Sequence, residues 1–181
     1  YGDEPNLPKQ EDRIGKPLSP YAVTKYVNEL YAEVFARSYG FKTIGLRYFN
    51  VFGPRQDPKS AYAAAVPIFI DKARKNEPLT IFGDGGQTRD FIFVKDIVAA
   101  NAFLAMSAHT GVYNIANGGK ITINDLAKEI IRLTGSKSEI VHLPERAGDI
   151  RHSTASPEKI RAAGFTPSWS FADALAETIS R

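Results

Sequence analysis

The sequence predicts an α/β protein, with part of a parallel sheet followed by a small α+β lobe. The first observation is a helical pattern from Pro20 to Tyr39 followed by a β-rich apolar stretch, residues 42–51. A helix and then a buried strand form half of a parallel α/β unit. The second observation is that short strand and helix patterns follow one another after residue 60. The third is that 181 residues, 43% of them hydrophobic and 24% charged, can bury a sizeable core.

The long helix has clear signals at both ends. Ser19 is a good N-cap, Pro20 suits the first helical position and Gly40 is a natural stop. Apolar residues recur along it over a broad arc, so we expect it to pack on a sheet and also on a partner subunit. The residues of this arc are Val23, Tyr26, Val27, Leu30, Tyr31, Val34, Phe35 and Tyr39.

Near its start the helix carries a tyrosine and a lysine one turn apart. Tyr21 and Lys25 stand at i and i+4 and therefore share a face. A free tyrosine has a pKa near ~10, and bringing it to ~7 needs about 4 kcal/mol. One cation at ~4 Å supplies about that much at an effective dielectric of ~20, so such a phenol can become a base. The alternative is that Lys25 simply pairs with Glu29, and the spacing alone does not decide between the two.

The end of the strand at 42–51 is the second candidate region. Parallel α/β sheets bind ligands at the carboxyl ends of their strands, where Tyr48, Phe49 and Asn50 fall. Asn50 can equally be a turn residue that satisfies backbone groups.

The remaining elements follow from apolar periodicity and turn residues. We expect the glycine cluster at 83–86 to be a hairpin turn, because it lacks the spacing of a dinucleotide-binding loop. Arg89, just after it, is either a surface charge or an anion ligand. The predicted helices are 60–76, which is broken or kinked near Pro67, then 95–107, a helix from 122 or 124 to 133, 157–163 and 171–179. The predicted strands are 79–82, 89–94, 112–116 and 139–143.

Composition excludes several kinds of protein. The absence of cysteine rules out disulfides, thiolate metal sites and cysteine nucleophiles. His109, His142 and His152 lack ligand spacing, so a metal site is not expected. A net charge of +3 without basic runs argues against nucleic acid, and no apolar run approaches the ~20 residues of a membrane span. We therefore expect a cytoplasmic protein with a small anionic ligand.

Several motifs in order then carry a resemblance to a known family. The chain resembles the C-terminal portion of an extended short-chain dehydrogenase/reductase of the NAD-dependent nucleotide-sugar epimerase/dehydratase family. The resemblance covers essentially the whole chain. The motifs are Tyr1-Gly2, Ser19-Pro20-Tyr21-Ala22-x-x-Lys25, Leu46 to Arg55, Phe82-Gly83-Asp84-Gly85-x-Gln87-x-Arg89-Asp90-Phe91 with Val94 and Asp96, Tyr113-Asn114-Ile115, and Arg146-x-Gly148-Asp149.

The resemblance implies a fold, a cofactor and a division of the chain. The fold would be the C-terminal part of a Rossmann-like doubly wound parallel sheet plus a small α+β substrate-binding lobe. Residues 1–58 would belong to the NAD-binding domain and 59–181 mainly to the nucleotide-sugar lobe. The family's glycine-rich NAD loop and its catalytic Ser or Thr would lie before Tyr1, so the 181 residues alone are expected to be inactive.

It also implies roles for individual residues. Tyr21 matches the catalytic base, and Lys25 matches the residue that favours the phenolate and binds the nicotinamide ribose. Tyr48 and Phe49 match positions on the nicotinamide side. The matches to substrate-binding positions are Asn50, Arg89 and Arg146 for the diphosphate, Thr80 and Phe82 for uracil, Asp149 for the nucleotide ribose, and Ser153 for the sugar.

Ser153 matches a position that limits the size of the sugar, and its small side chain leaves room for a 2-acetamido group. The segment that contains it most resembles the UDP-N-acetylglucosamine 4-epimerases. The alternative is that Ser153 only caps the following turn.

The implied activity is NAD-dependent 4-epimerisation of UDP-glucose and UDP-N-acetylglucosamine through a 4-keto sugar, in a homodimer formed through the Tyr21/Lys25 helix. A sugar-nucleotide dehydratase or decarboxylase shares these residues and is the first alternative. A non-catalytic nucleotide-sugar-binding module is the second.

Overall fold

The computed structural model describes residues 2–60, 64–146 and 149–180. Helices and strands alternate through most of this part of the chain, as the sequence predicts. The elements are α1 (Pro20–Tyr39), β1 (Ile44–Tyr48), β2 (Val51–Phe52), α2 (Ala65–Arg74), β3 (Leu79–Phe82), β4 (Thr88–Arg89), β5 (Ile92–Phe93), α3 (Val94–Ala105), β6 (Gly111–Ile115), β7 (Ile121–Thr122), α4 (Ile123–Thr134), β8 (Ile140–Leu143), β9 (His152–Ser153), α5 (Glu158–Ala162) and α6 (Phe171–Ser180).

Parallel strand pairs confirm the α/β class. β1 lies parallel to β6, β2 to β5, and β3 to β8. β4 is the middle strand of a three-stranded sheet, antiparallel to β7 and parallel to β9, with Arg89 opposite Ser153. This small mixed sheet places the predicted substrate-binding residues of two distant segments side by side.

The core consists of two apolar clusters. The larger one joins α2, α4 and α6 to β3 and β5, through fully buried residues such as Leu79, Phe93 and Leu126. The smaller one surrounds β6 and packs α3 and α5 against it. Within the described residues, none of the helices is long and apolar enough to cross a membrane.

The caps of α1 are as predicted, but the environment of this helix is not. Ser19 Oγ accepts a hydrogen bond from the Ala22 amide at 3.1 Å, and Gly40 ends the helix with a φ of 70°. The only residue of α1 that is buried is Ala22. A cleft of about 890 Å³ separates the helix from β1, so the apolar arc packs on the sheet less than predicted and faces outwards.

Two predicted strands are each split into two shorter strands. The strand at 42–51 ends at Tyr48 and resumes at Val51, because Asn50 between them has a φ of 35°. The strand at 89–94 is likewise split into β4 and β5.

The prediction of a hairpin turn at 83–86 is wrong, because the two strands that flank the turn do not pair with each other. The strand before the turn, β3, pairs with β8, and the strand after it, β4, pairs with β7 and β9. The glycines therefore carry the chain from one sheet to another, with Gly83 and Gly85 both at positive φ.

The helix predicted over 60–76 is shorter and is not kinked. It begins at Ala65, which makes Pro67 part of the first turn. A proline causes no break there, because the amide groups of a first turn have no partner within the helix. Residues 61–63 lie outside the described part of the chain.

The N-terminal segment is irregular, as predicted, but it is tied to the fold. The Lys9 amide donates to the Thr154 carbonyl at 2.9 Å, and the Glu11 carboxylate accepts the Asn114 amide at 2.9 Å. These contacts fasten residues 2–17 across β6 and the end of β9.

Candidate active site

A cleft of about 720 Å³ brings together the substrate-binding residues that the sequence predicts. It lies beside α2 and β3, and the segments that follow β1, β3 and β8 contribute to its wall. Six of the seven predicted residues line it, although they come from four separate parts of the chain: Asn50, Thr80, Phe82, Arg89, Arg146 and Asp149. Apolar side chains from the larger core cluster, such as Ile81 and Phe91, complete the lining.

The charged wall of the cleft contains two arginines and one carboxylate. Arg89 Nη2 donates to Asp149 Oδ1 at 2.9 Å, and Arg89 Nη1 donates to the carbonyl of Thr88 at 2.9 Å. The side chains of Arg89 and Asp149 are 17% and 33% exposed. The guanidinium is therefore held in place at the cleft surface, where its planar fork suits a phosphate group.

Arg146 approaches the cleft from the loop after β8. Its guanidinium carbon lies 3.5 Å from the centre of the Phe82 ring, which is a close cation–π contact. One face of Phe82 is thus covered by Arg146, and the contact orients both side chains at the same end of the cleft.

Asn50 is a turn residue, as one of the two interpretations of the sequence predicts, and it also lies at the cleft. It has a positive φ between β1 and β2, and its Nδ2 donates to the carbonyl of Asp90 at 3.0 Å. The positive-φ turn and the hydrogen bond to Asp90 therefore hold a residue of the cleft wall in place.

Two further polar residues of the cleft have no role in the sequence-based assignment. Lys72 donates to Thr80 Oγ1 at 3.1 Å, and it shares a face of α2 with Ile68, which also lines the cleft. The sequence alone does not indicate what this face contacts. Gln87 is 7% exposed and donates from Nε2 to the carbonyl of Phe82 at 2.9 Å. Its Oε1 has no hydrogen-bond partner among the described residues.

Asp90 is a buried carboxylate next to Arg89 that binds the backbone of the 117–119 loop. It is fully buried, and its carboxylate accepts hydrogen bonds from the amides of Asn117, Gly118 and Gly119 at 2.9–3.3 Å. Burial raises the pKa of Asp90, and these amides, together with that of Ala155, oppose the rise. The carboxylate fixes the loop before β7 next to Arg89.

Ser153 does not line the cleft as the described residues define it. It lies in β9, directly opposite Arg89, and its carbonyl accepts the amide of Asp90 at 2.9 Å. Its predicted role at the sugar therefore rests on its position opposite Arg89 in the pairing of β9 with β4.

Tyr21 and Lys25 lie apart from the cleft, on the exposed side of α1. Lys25 Nζ lies 5.3 Å from the centre of the Tyr21 ring, and Tyr21 is 68% exposed. The alternative pairing of Lys25 with Glu29 is not what the structure shows. Both oxygens of Glu29 accept from Arg47, at 2.7 and 2.8 Å.

The Glu29–Arg47 pair also fixes where Tyr21 lies relative to β1. Arg47 is near the carboxyl end of β1, and Tyr21 precedes Glu29 by about two helical turns, or ~12 Å. The start of α1 therefore extends beyond the end of the strand, where Tyr48 and Phe49 follow. Tyr48 is 49% exposed, with its hydroxyl 3.1 Å from Asn101 Oδ1.

These residues fit one half of NAD. An exposed phenol, an adjacent ammonium and an exposed aromatic residue at a strand end can contact a nicotinamide and its ribose. The sequence contains no glycine-rich strand-to-helix loop for the pyrophosphate. Among the described residues no cluster of three His, Asp or Glu could bind a metal ion.

The chain belongs to the NAD-dependent epimerase/dehydratase family, which matches residues 1–116. It is 39% identical over 167 residues to a putative UDP-glucose 4-epimerase of Methanocaldococcus jannaschii, which covers 92% of this chain and 54% of that protein. It is also 30% identical to a dTDP-glucose 4,6-dehydratase of Streptomyces niveus, over 99% of this chain and 53% of that protein. The chain thus spans about half the length of these relatives.

Solved structures agree with the family. A UDP-N-acetylglucosamine 4-epimerase from Methanobrevibacter ruminantium, in complex with UDP-N-acetylmuramic acid, is 45% identical with a TM-score of 0.95, covering 99% of this chain and 58% of that one. A UDP-glucose 4-epimerase of Thermus thermophilus, in complex with NAD, is 36% identical with a TM-score of 0.86, covering 95% and 56%. These matches confirm the Rossmann-like α/β fold and the assignment of NAD as the cofactor of the family.

Proposed function

We propose that the full-length protein containing this chain is an NAD-dependent UDP-sugar 4-epimerase. The observation that carries the proposal is the cleft, which joins two arginines, a carboxylate, an aromatic ring and an amide from four segments. This set matches the parts of a nucleoside diphosphate sugar, which are two phosphates, a ribose and a base. The similarity to 4-epimerases supports the choice of reaction.

In the proposed complex Arg89 and Arg146 bind the diphosphate, with Asn50 beside them. A guanidinium group can bind two phosphate oxygens at once. The carboxylate of Asp149 accepts hydrogen bonds from the hydroxyl groups of the nucleotide ribose, while Thr80 and Phe82 contact the uracil. To do this Arg89 and Asp149 exchange their mutual contact for contacts with the ligand.

The proton chemistry is assigned to α1. Tyr21, as the phenolate, takes the proton from O4 of the sugar and later returns it. Lys25 favours the phenolate by its charge and binds the nicotinamide ribose, with Tyr48 and Phe49 on the nicotinamide side. NAD, when bound, supplies the hydride acceptor and donor at C4. Meanwhile Arg89 and Arg146 hold the diphosphate, so the 4-keto sugar can turn without leaving the site.

The proposed substrates are UDP-glucose and UDP-galactose, together with UDP-N-acetylglucosamine and UDP-N-acetylgalactosamine. The N-acetylated sugars are included because Ser153 is small and lies opposite Arg89 on the ladder.

We also propose a homodimer formed through α1. Large apolar side chains on this helix are 36–68% exposed, an unusual surface for a helix with no partner. In the same proposal residues 1–58 belong to the NAD-binding domain and 59–181 mainly to the nucleotide-sugar lobe. The proposed division has the chain cross between the lobes, and the pairing of β6 with β1 supports this crossing.

The test is to incubate the full-length protein with UDP-N-acetylglucosamine and with UDP-glucose and to follow the sugar by NMR. The expected product is the C4 epimer, without net consumption of NAD. A 4-keto-6-deoxy product would instead establish a dehydratase, the alternative supported by the Streptomyces niveus relative. UDP binding without turnover of either sugar would indicate a non-catalytic binding module. The 181-residue chain alone is proposed to be inactive.

A further inference from the structure

We propose that Asp84 and Arg151 are positioning residues, whose ion pair keeps Arg146 and Asp149 in place while a ligand occupies the cleft. The inference rests on the proposed function, because it concerns the same cleft. The substrate loop is defined here as residues 144–146 and 149–151, which supply Arg146 and Asp149.

The ion pair between Asp84 and Arg151 is bidentate. Arg151 Nη1 lies 2.7 Å from Asp84 Oδ1, and Arg151 Nη2 lies 2.7 Å from Asp84 Oδ2. Such a bidentate contact fixes the relative orientation of the two side chains as well as the distance between them. The Arg151 guanidinium and the Gly86 amide also hold the pKa of Asp84 far below its usual range, so the pair stays charged at neutral pH.

Asp84 is itself anchored to the body of the protein. Its Oδ1 accepts the Gly86 amide at 2.8 Å, and its carbonyl accepts Asn124 Nδ2 at 2.8 Å. Asn124 lies in the first turn of α4, one of the helices of the larger core cluster. The turn after β3 is therefore a firm support to which the substrate loop can be attached.

The other side-chain contacts of the substrate loop are of a different kind. Asp149 binds Arg89, and Arg146 stacks on Phe82. All four of these residues line the cleft, so a bound nucleotide competes for them. Asp84 and Arg151 are not among the described residues that line this cleft. Their ion pair therefore survives when the ligand replaces the Arg89–Asp149 contact.

The backbone of Arg151 adds to this attachment. Its carbonyl accepts the Thr88 amide at 2.9 Å, which begins the pairing of β9 with β4. Arg151 thus joins the substrate loop to the ladder through its backbone and to the turn through its side chain. Loss of the side-chain contact leaves the pairing of β9 with β4 in place but allows Arg146 and Asp149 to change orientation.

The experiment compares UDP binding to the full-length protein and to Asp84→Asn and Arg151→Gln by isothermal titration calorimetry. Since the pair is partly exposed, we expect the Kd for UDP to rise about fivefold in each variant. The rise should shrink at high salt, because screening weakens the pair in the unaltered protein. In turnover assays KM should rise by a similar factor with little change in kcat.

Arg132→Gln is the matched control, because Arg132 forms an exposed ion pair with Glu129 at the far end of α4. It should leave the Kd unchanged. The double variant Asp84→Arg/Arg151→Asp restores the pair with reversed charges, and it should recover at least half of the lost affinity on a logarithmic scale. If a single variant does not fold, Arg151→Lys tests the positioning role instead. Lysine keeps the positive charge but cannot form the two parallel hydrogen bonds to Asp84, so the Kd for UDP should be intermediate.

The outcomes separate the two proposals. If the unaltered protein does not bind UDP, the proposed function fails and this inference fails with it. If it binds UDP and the folded variants bind equally well, or if kcat falls while KM is unchanged, only the positioning role of Asp84 and Arg151 is overturned.

Discussion

Arg89 and Asp149 form an ion pair in the wall of the candidate cleft, with Arg89 Nη2 donating to Asp149 Oδ1 at 2.9 Å. Each is assigned to a different part of the same ligand. The pair is therefore a contact that a nucleotide must replace, and its strength lowers the apparent affinity for any ligand that uses only one partner.

This contact leads to a prediction about Asp149→Asn. Removing the charge frees Arg89, so the affinity for inorganic pyrophosphate, which has no ribose, should rise about two- to fivefold. The affinity for UDP should fall, because the ribose loses a charged acceptor. Calorimetry with the two ligands measures both changes. Opposite shifts support the assignment, whereas a parallel loss for both ligands would contradict it.

Tyr21→Phe tests the assignment of the base. Turnover should fall by about 10²- to 10⁴-fold, the usual contribution of a positioned proton-transfer group, while the Kd for UDP stays the same. Tyr31→Phe is the control, since this tyrosine lies on the same helix and is 63% exposed. Wild-type turnover in Tyr21→Phe would show that another group moves the proton.

Ser153→Tyr tests the assignment of the specificity residue. A large side chain opposite Arg89 should reduce kcat/KM for UDP-N-acetylglucosamine at least about tenfold more than for UDP-glucose, because the 2-acetamido group needs the space. Ser153→Ala should change neither value by more than a few-fold. Equal losses on the two sugars would assign Ser153 a structural role, such as capping the following turn.

Asp90→Asn tests the support behind the cleft. The new NH₂ group faces backbone amides that need an acceptor, so the free energy of unfolding should fall by about 1–3 kcal/mol. Asp12→Asn, at an exposed position, should change it by less than about 0.5 kcal/mol. Chemical denaturation measures both. An unchanged stability in Asp90→Asn would mean that the amides of the 117–119 loop do not depend on the carboxylate.

The same residue gives a pH dependence of known sign. Burial raises the pKa of Asp90 above the unfolded value of about 4, so the folded state binds its proton more readily. Between the unfolded and the folded pKa, its contribution to stability therefore falls as pH rises. Asp90→Asn should lack this part of the slope, and an identical slope in the variant would contradict the assignment.

Most of the fold was predictable because its elements have strong local signals. The N-cap at Ser19, the αL glycine at Gly40 and the helical spacing between them define α1 to the residue. The failures occurred where tertiary pairing decides. The glycine cluster at 83–86 has the composition of a hairpin turn, yet β3 pairs with β8, more than fifty residues away. No local pattern specifies such a partner.

The grouping of residues in the candidate cleft was predictable to a similar degree, and only through the order of several motifs. Individually, Asn50 was compatible with a plain turn and Arg89 with a surface charge, but both line the cleft with Arg146 and Asp149. The Arg151–Asp84 pair was not foreseen, because it joins two loops that are distant in sequence. Lys72 was missed because its side chain is directed by the packing of α2, and one face of a helix does not identify its neighbour.

The most direct test of 4-epimerisation is to give the full-length protein UDP-N-acetylglucosamine that carries deuterium at C4. Because the proposed reaction removes and returns the same hydride, the UDP-N-acetylgalactosamine formed should keep the deuterium at C4, as read by NMR and mass spectrometry. Loss of the deuterium to solvent, a 4-keto-6-deoxy product, or no conversion of this sugar or of UDP-glucose would contradict the account.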